Sequence, residues 1–438
     1  MTINLSAKPP WWHRSSRRQF LKSSLSGMAA VAGIGTISQH TGRVSAADNA
    51  LEILWQSGHK YDTYAEVIEN LKTSNPQVTV QWSVMQWPDI RRRLLAGFTA
   101  GNPPSVSEVN PDWVAEFAQK GLLEPLTSYI SRDGSSMGFP SDWDEEALIP
   151  ARINGTYYAV PLHYTCALLF YNKTLLDKAG FPNPPKTWDD FLQVAKAVTT
   201  KDVWGYAPNS DEELALWPWF TQNGVKYYDP KTNRVGLDTP EAIEAVQFNV
   251  DLVYKHNVAP APAIAGSVQS VDKMFTTGRV AMMYTGPWDV HPVQAANPGF
   301  EWRIGPATRK KIQATWSTGA WLIIPKAGKN KELAWDFIKR ITSLETEVKT
   351  TLKNGMTMPR KSWAHHPDIQ KDTVVAPFGT ALASYAINYN KLIGFTGKTA
   401  QIDNLLQAAW ESAIYRKATP ADALRELGQK ANQILASK

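Results

Sequence analysis

The residues with the most chemistry to offer are flat aromatics and a few polar groups placed where regular elements end. Met274-Phe-Thr-Thr-Gly-Arg-Val-Ala-Met-Met-Tyr-Thr-Gly-Pro-Trp288 reads as a helix end, a turn at Gly278, a buried strand and a rigid Gly-Pro-Trp turn. A large ring standing on such a turn is an apolar platform with little rotamer freedom to lose. Trp217 and Trp219 flank Pro218 close to a Gln222-Asn223-Gly224 turn, and either a site wall or ordinary core packing would use them. Asp112, ahead of a short amphipathic helix, can cap that helix or accept hydroxyl hydrogen bonds from a ligand, and the two roles are compatible. Catalytic signatures are lacking: there is no Gly-x-Ser-x-Gly elbow, no His-Glu-x-x-His helix and no phosphate-cradling glycine loop. Nor do these segments supply the two opposed carboxylates that glycoside hydrolysis needs. His365-His366 is a poor metal pair, since neighbouring residues rarely face one ion; no metal site and no cofactor are expected.

These residues need a frame. Leu51–Trp55 reads as a strand, Ala65, Ile68 and Leu71 repeat at helical spacing until Asn75-Pro76, and Val78–Val84 alternates as a strand should. Strand and helix in this rhythm imply an α/β sheet with parallel strands, whose ligands bind in loops beyond the carboxyl ends. Those loops hold Ser57–Tyr61, Gln86-Trp87 and Val109–Trp113. Tyr158–Leu176 is the pivot: Tyr-Ala-Val is interrupted by Pro161, then an apolar run from Cys166 to Tyr171 resumes. Proline gives no N–H to a ladder, so Pro161 belongs at a strand end or where the chain passes between two lobes. About 390 residues after the first 47 exceed what one hydrophobic core serves, so two domains are expected. With no long linker in the sequence, the chain should cross between them more than once.

The first 47 residues read as an export signal: Ser16-Arg17-Arg18-Gln19-Phe20-Leu21-Lys22, a mildly apolar run from Leu25 to Ile37, and small residues at Val44–Ala47. The paired arginines followed by Phe-Leu-Lys match the twin-arginine signal. Six of the 46 Lys and Arg lie in this segment and no acid does, so the remaining 40 balance the 40 Asp and Glu. That removes the net basic face on which nucleic-acid or membrane-surface binding depends. Cys166 is the single cysteine, so no internal disulfide and no lipid anchor at the cut site are expected. The expectation is a free, monomeric periplasmic protein without stable membrane insertion.

From about residue 50 onward the chain resembles the sugar-binding components of ABC importers, the extracellular solute-binding proteins of family 1 typified by maltose-binding protein. The resemblance rests on Tyr158–Lys173, Thr187-Trp188-Asp189-Asp190, Phe-x-x-Gly-Arg-x-Ala-Met with Gly286-Pro287-Trp288, Ile324-Pro325-Lys326, Lys331–Phe337, Asn354–Pro359 and Thr419–Leu424, taken in order. It implies a two-lobed α/β periplasmic-binding-protein fold of type II, with lobes joined by crossing hinge strands and closing on a ligand. The lobes would be residues 48–162 with 316–366, and 163–315 with 367–438. A second crossing is expected near Thr315-Trp316-Ser317, ahead of a strand at Ala320–Ile324.

Carried over by position, Trp288 matches the family's sugar-stacking residue and Asp112 its acid before the Ala-Gln-x-Gly-Leu-Leu helix. Lys60 matches in the loop after the first strand, whereas His59 beside it and His163 at the crossover depart from the pattern. The implied ligand is a mono- or oligosaccharide, delivered to membrane permease subunits. Sixteen tryptophans outside the signal suit the apolar faces of sugar rings, and Trp87, Trp217, Trp219, Trp288 and Trp316 fall at expected loop positions. Two other readings stay open: a polyamine or glycerol phosphodiester held by the same fold, and a carbohydrate-active enzyme.

Overall fold

Alternating side chains decide how the first layer is covered. Leu51, Ile53 and Trp55 of strand Ala50–Gln56 (β1) enter one buried cluster, while Leu54 between them enters another. A strand buried on both faces belongs inside an α/β sheet. The structure, a computed structural model, describes residues 50–209, 213–265, 267–389 and 397–437; the expected signal at 1–47 lies outside the described residues. Thr79–Met85 (β2) and Val106–Val109 (β3) pair in parallel with the two edges of β1. Helices Asp62–Ser74 and Trp87–Ala100 make the crossovers. Among the described residues no helix is long and apolar enough to cross a membrane.

A small hairpin of Arg152–Ile153 (β4) and Thr156–Tyr157 (β5) leads into Ala159–Cys166 (β6), buried at every residue. Leu168–Asn172 (β7) follows, but in a second sheet, so the chain changes sheet at Ala167. Trp204–Tyr206 (β8) joins that sheet, and Tyr228–Asp229 (β9) with Arg234–Val235 (β10) form a separate hairpin. Val280–Thr285 (β11) and Trp302–Gly305 (β12) complete the second sheet, in the order β12-β7-β11-β8. Thr315–Ile323 (β13) and Ala386–Asn388 (β14) return to the first, which runs β14-β13-β3-β1-β2 with β6 on the free edge of β13. The faces of β7 divide like those of β1: Leu169 and Tyr171 enter one cluster, Leu168 and Phe170 another. The C-terminal helices Thr399–Ile414 and Pro420–Ala436 place Ile402, Leu406, Trp410, Leu424 and Leu427 in the cluster of Leu169.

Two expectations change in detail. The crossover does not break at Pro161; β6 runs through it and the change of sheet waits for Ala167. Pairing explains this: Ala320 faces His163 while Trp321 faces Pro161, which leaves Leu162 as an extra residue. A bulge is where a strand tolerates a residue with no N–H. Likewise β13 already begins at Thr315, so Trp316 lies in a strand rather than in a loop, and the second crossing precedes it. Trp87 and Trp217 also leave their expected loops to open helices, and Trp219 lies within the helix that Trp217 opens. The cap expected at Thr187 is present as a full capping box with Asp190.

β13 has three partners: β14 along Thr315–Ser317, β3 along Trp321–Ile323 and β6 along Ser317–Ile323. Gly319 permits the closest approach, because a Cβ there would lie 2.0 Å from the His163 carbonyl oxygen. That obstacle is backbone and cannot swing aside. Gly319→Ala should therefore lower stability by about 1–3 kcal/mol, read as a fall in the urea midpoint with unchanged slope.

Candidate functional site

The carboxyl ends of β1 and β3 bring the first group of polar side chains together. β1 ends at Gln56, and the turn Ser57–His59 folds back over the sheet, held by Trp55 Nε1 donating to the His59 carbonyl at 2.8 Å. Glu108 comes up from β3, fully buried, and accepts from the Gln56 N–H at 2.9 Å through one oxygen. Its other oxygen meets His59 Nδ1 at 2.5 Å. His163 arrives from β6, its ring centroid 4.6 Å from that of His59 and nearly perpendicular to it. Its Nε2 pairs with the Tyr64 hydroxyl at 2.7 Å, whereas its Nδ1 is buried with no hydrogen-bond partner. Burial, reinforced by the His59 charge, pushes the His163 imidazole well below its usual range, so it stays neutral. Trp87 lies 6.0 Å from His59 and 5.8 Å from Trp113, while Lys60 stands exposed at the next position along the turn.

The second sheet answers with aromatics. Trp288 follows β11 on the turn Pro287–Asp289, and its ring lies so close on Gly286 that a Cβ there would sit 2.2 Å from it. Only glycine leaves room for this folded-back ring. Trp288 is partly buried and packs against the cores flanking both sheets. The Trp316 ring lies 6.5 Å away at 39° and is itself 3 % exposed. Tyr389 sets its edge on both Trp316 and Trp217, and Trp217 stacks on Tyr227. The indole N–H groups of Trp217 and Trp316 are buried without acceptors. Trp219 goes elsewhere: it is 0 % exposed among Trp188, Phe191, Tyr206, Phe248 and Tyr284, in the body of the second core.

Between these groups lie acids that water would normally ionise. Asp112, in the first turn of the helix Pro111–Gln119, is pushed up to about 7 by burial and the Asp403 charge, against the pull of Arg91. Asp403 is pushed up to about 6 by burial, although the Tyr227 and Tyr389 hydroxyls donate to it at 2.7 and 2.8 Å. Asp289, 5 % exposed, rises to about 6 through burial, with Thr285, Asp272 and Trp288 as hydrogen-bond partners. Tyr61 links the two sides: its hydroxyl is buried without a partner, and burial with the charges of Glu108 and Asp289 raises its pKa. Planar rings, buried N–H donors and carboxylate acceptors thus converge from both sheets.

The sequence profile of the bacterial extracellular solute-binding proteins matches residues 56–347. The chain belongs to this family. This solute-binding protein is 28 % identical over 373 residues to the maltotriose-binding protein of Pyrococcus abyssi, covering 81 % of this chain and 77 % of that one. Among solved structures, a Thermotoga lettingae ABC-transporter solute-binding protein bound with α-D-tagatose superposes with a TM-score of 0.79 at 24 % identity, covering 89 % and 100 % of the two chains. A Mycobacterium tuberculosis protein in complex with glycerophosphocholine superposes at 0.73 with 20 % identity, over 88 % and 97 %. The fold is therefore the two-lobed α/β binding-protein fold that the sequence motifs imply, with strands crossing between the lobes.

Of the expected site residues, His59, His163, Trp87 and the exposed Lys60 lie around the end of β1, and Trp288, Trp316 and Trp217 cluster opposite. Asp112 faces the charge of Asp403, and Trp219 shares none of these contacts. Sequence reasoning missed Tyr61, Tyr64, Glu108, Asp289, Tyr389 and Asp403. Glu108 carried a usable signal, an acid inside the short apolar strand Val106–Val109, since glutamate is almost never fully buried unless paired.

Asp112 yields a pH test. Its carboxyl is raised in the folded chain, so between about pH 4 and 7 the unfolded chain releases this proton first and stability falls as pH rises. Asp112→Asn cannot take part in that fall. Its melting temperature relative to the parent should gain about 2 °C between pH 5 and pH 8, measured without ligand; a constant difference would contradict the raised carboxyl.

Proposed function

We propose that the chain is a periplasmic substrate-binding protein of an ABC importer, exported by the twin-arginine route, which closes on a mono- or oligosaccharide and passes it to a membrane permease. It acts as an unanchored monomer that binds and releases its ligand unchanged. The observation that carries this reading is the position of Trp288, on a rigid turn, partly exposed and in contact with the cores on both sides of the molecule. A ring placed there meets a ligand only where the lobes meet. The lobes are assigned as residues 48–162 with 316–366 and 163–315 with 367–438; the first boundary lies within β6, just ahead of the change of sheet at Ala167.

In this reading Trp288 stacks on an apolar sugar face, and Trp217 and Trp316 offer buried N–H groups to hydroxyls. Asp112, His59, Lys60 and Trp87 contribute from the first lobe, His163 from the strand that crosses to the second, and Trp219 supports the wall from behind. Stacking one sugar face removes roughly 50 Å² of apolar surface, worth about 1 kcal/mol, and each hydroxyl bond adds about 1 kcal/mol. Two rings and a handful of such bonds reach micromolar affinity, about −8 kcal/mol, after the cost of association. The similarity to a maltotriose-binding protein supports a carbohydrate of this kind.

A cationic ligand such as a polyamine is the second reading, because Glu108, Asp112, Asp289 and Asp403 all lie near the site. Three of them already have donors: His59 and Gln56 for Glu108, Tyr227 and Tyr389 for Asp403, Thr285 and Trp288 for Asp289. Of these four acids, Asp112 alone has no side-chain donor among the described residues, which leaves one acceptor for a ligand rather than an acidic cage. Sugar leads on that ground. A thermal-shift screen over mono-, di- and trisaccharides, polyamines and glycerol phosphates separates the readings: stabilisation by saccharides alone is expected, and stabilisation by amines alone would reverse the order. Trp288→Ala should weaken saccharide binding at least ten-fold, about 1.4 kcal/mol, by calorimetry on protein whose fold circular dichroism verifies. Gly286→Ala, which displaces the same ring without removing it, should weaken binding in the same direction.

A further inference from the structure

We propose that His59, Glu108 and His163 form a binding site for a divalent transition-metal ion of the zinc class. The three side chains come from the turn after β1, from β3 and from β6, and their ligand atoms lie within 4.8 Å of one another. Two imidazoles and a carboxylate are a donor set suited to Zn²⁺ and its neighbours. The groups that hold these side chains are also of the kind found behind metal ligands. Glu108 is oriented by the Gln56 N–H on the oxygen that does not face His59. His163 is oriented by the Tyr64 hydroxyl on Nε2, so Nδ1 is the nitrogen left for a metal.

An independent observation points to an occupant. His163 is 1 % exposed, yet Nδ1 has no partner, and an unmet buried polar atom is destabilising. With Nε2–H donating to Tyr64, Nδ1 presents a lone pair beside a carboxylate and a second imidazole. A cation there would satisfy it and would replace the proton that His59 and Glu108 hold between them. Tetrahedral bonds of about 2.1 Å set ligand atoms about 3.4 Å apart, so His59 Nδ1 and the Glu108 oxygen, now 2.5 Å apart, must separate to admit the ion. His59 can supply that movement, since it sits at the end of a short turn with its side chain 12 % exposed. Three protein ligands leave a fourth position open, and Tyr61, with its own unpartnered hydroxyl, stands within ring-contact distance of both histidines.

This site does not depend on the identity of the organic ligand, and the test uses metal alone. Tag-free mature protein, treated with chelator, would be titrated with ZnCl₂ by calorimetry and with CoCl₂ by visible absorption. One equivalent of Zn²⁺ and a Co²⁺ band are expected. His163→Ala, His59→Ala and Glu108→Gln should each weaken binding at least ten-fold, while the double variant His365→Ala/His366→Ala leaves it unchanged. His59, on the turn, can be replaced with the least risk to folding, and circular dichroism verifies each variant. No bound metal, or equal titration of parent and His59→Ala, overturns the proposal. Binding lost only in the His365→Ala/His366→Ala variant overturns it as well. Saccharide stabilisation measured separately shows whether the sugar reading stands in either event.

Discussion

The ladder between β6 and β13 is the constraint on which the site depends. β13 pairs with β14, β3 and β6, and so ties together segments that lie more than two hundred residues apart in sequence. It carries Trp316 at one end and, opposite Ala320, holds His163 of β6. The strands approach so closely at Gly319 that no side chain fits. Because both strands are almost wholly buried, a slip of one residue would turn every side chain to the wrong face. The bulge at Pro161 adds to this specification: the proline cannot serve a regular ladder, so the register has one place to accommodate it. His163 and Trp316 thus inherit their positions from backbone hydrogen bonds rather than from flexible loops.

Burying so many polar groups where two lobes meet has a cost that shapes the rest of the site. Glu108 is fully buried and would be untenable alone; the Gln56 N–H and His59 answer both of its oxygens. Asp403 draws two tyrosine hydroxyls, and Asp289 draws Thr285 and Trp288. The Trp288 ring folds back onto Gly286 beside this acid. What is left over is informative. Tyr61 Oη, His163 Nδ1, Thr165 Oγ1 and the Trp217 and Trp316 N–H groups are buried without partners. Natural interiors seldom tolerate such atoms, and in the proposed reading a ligand hydroxyl would complete the bonding of those nearest Trp288.

The sequence made the framework readable because local rules govern it. The strand–helix rhythm from Leu51, the capping box at Thr187 and the Gly-Pro-Trp turn at 286–288 all depend on neighbours within a few residues, and all are present. Trp316 and Trp219 were harder, because whether a tryptophan walls a cleft or fills a core depends on packing from elsewhere. In Trp219 the five rings around it come from Trp188, Phe191, Tyr206, Phe248 and Tyr284, none of them adjacent in sequence. The association of His59, Glu108 and His163 was illegible for the same reason. Each comes from a different element, and no spacing along the chain announces that a β1–β3 pairing and a β6–β13 pairing bring them to one point. His365-His366, adjacent and conspicuous, was the pair the sequence offered instead; His366 caps the helix Pro367–Lys371.

These features bear on how the lobes would separate. Asp112 and Asp403 come from the helices Pro111–Gln119 and Thr399–Ile414, and each carboxyl is held above its usual range. Two carboxylates that feel one another in a buried place favour either a shared proton or greater distance. A ligand hydroxyl donating to Asp112 would give that acid the donor it lacks, since Asp403 is already bonded by Tyr227 and Tyr389. Trp288 has the opposite tendency, since its contacts with both cores reward closure. In the proposed closing motion, the balance between an apolar ring that draws the lobes together and acids that press them apart would set the fraction closed without ligand, and the apparent affinity would scale with that fraction.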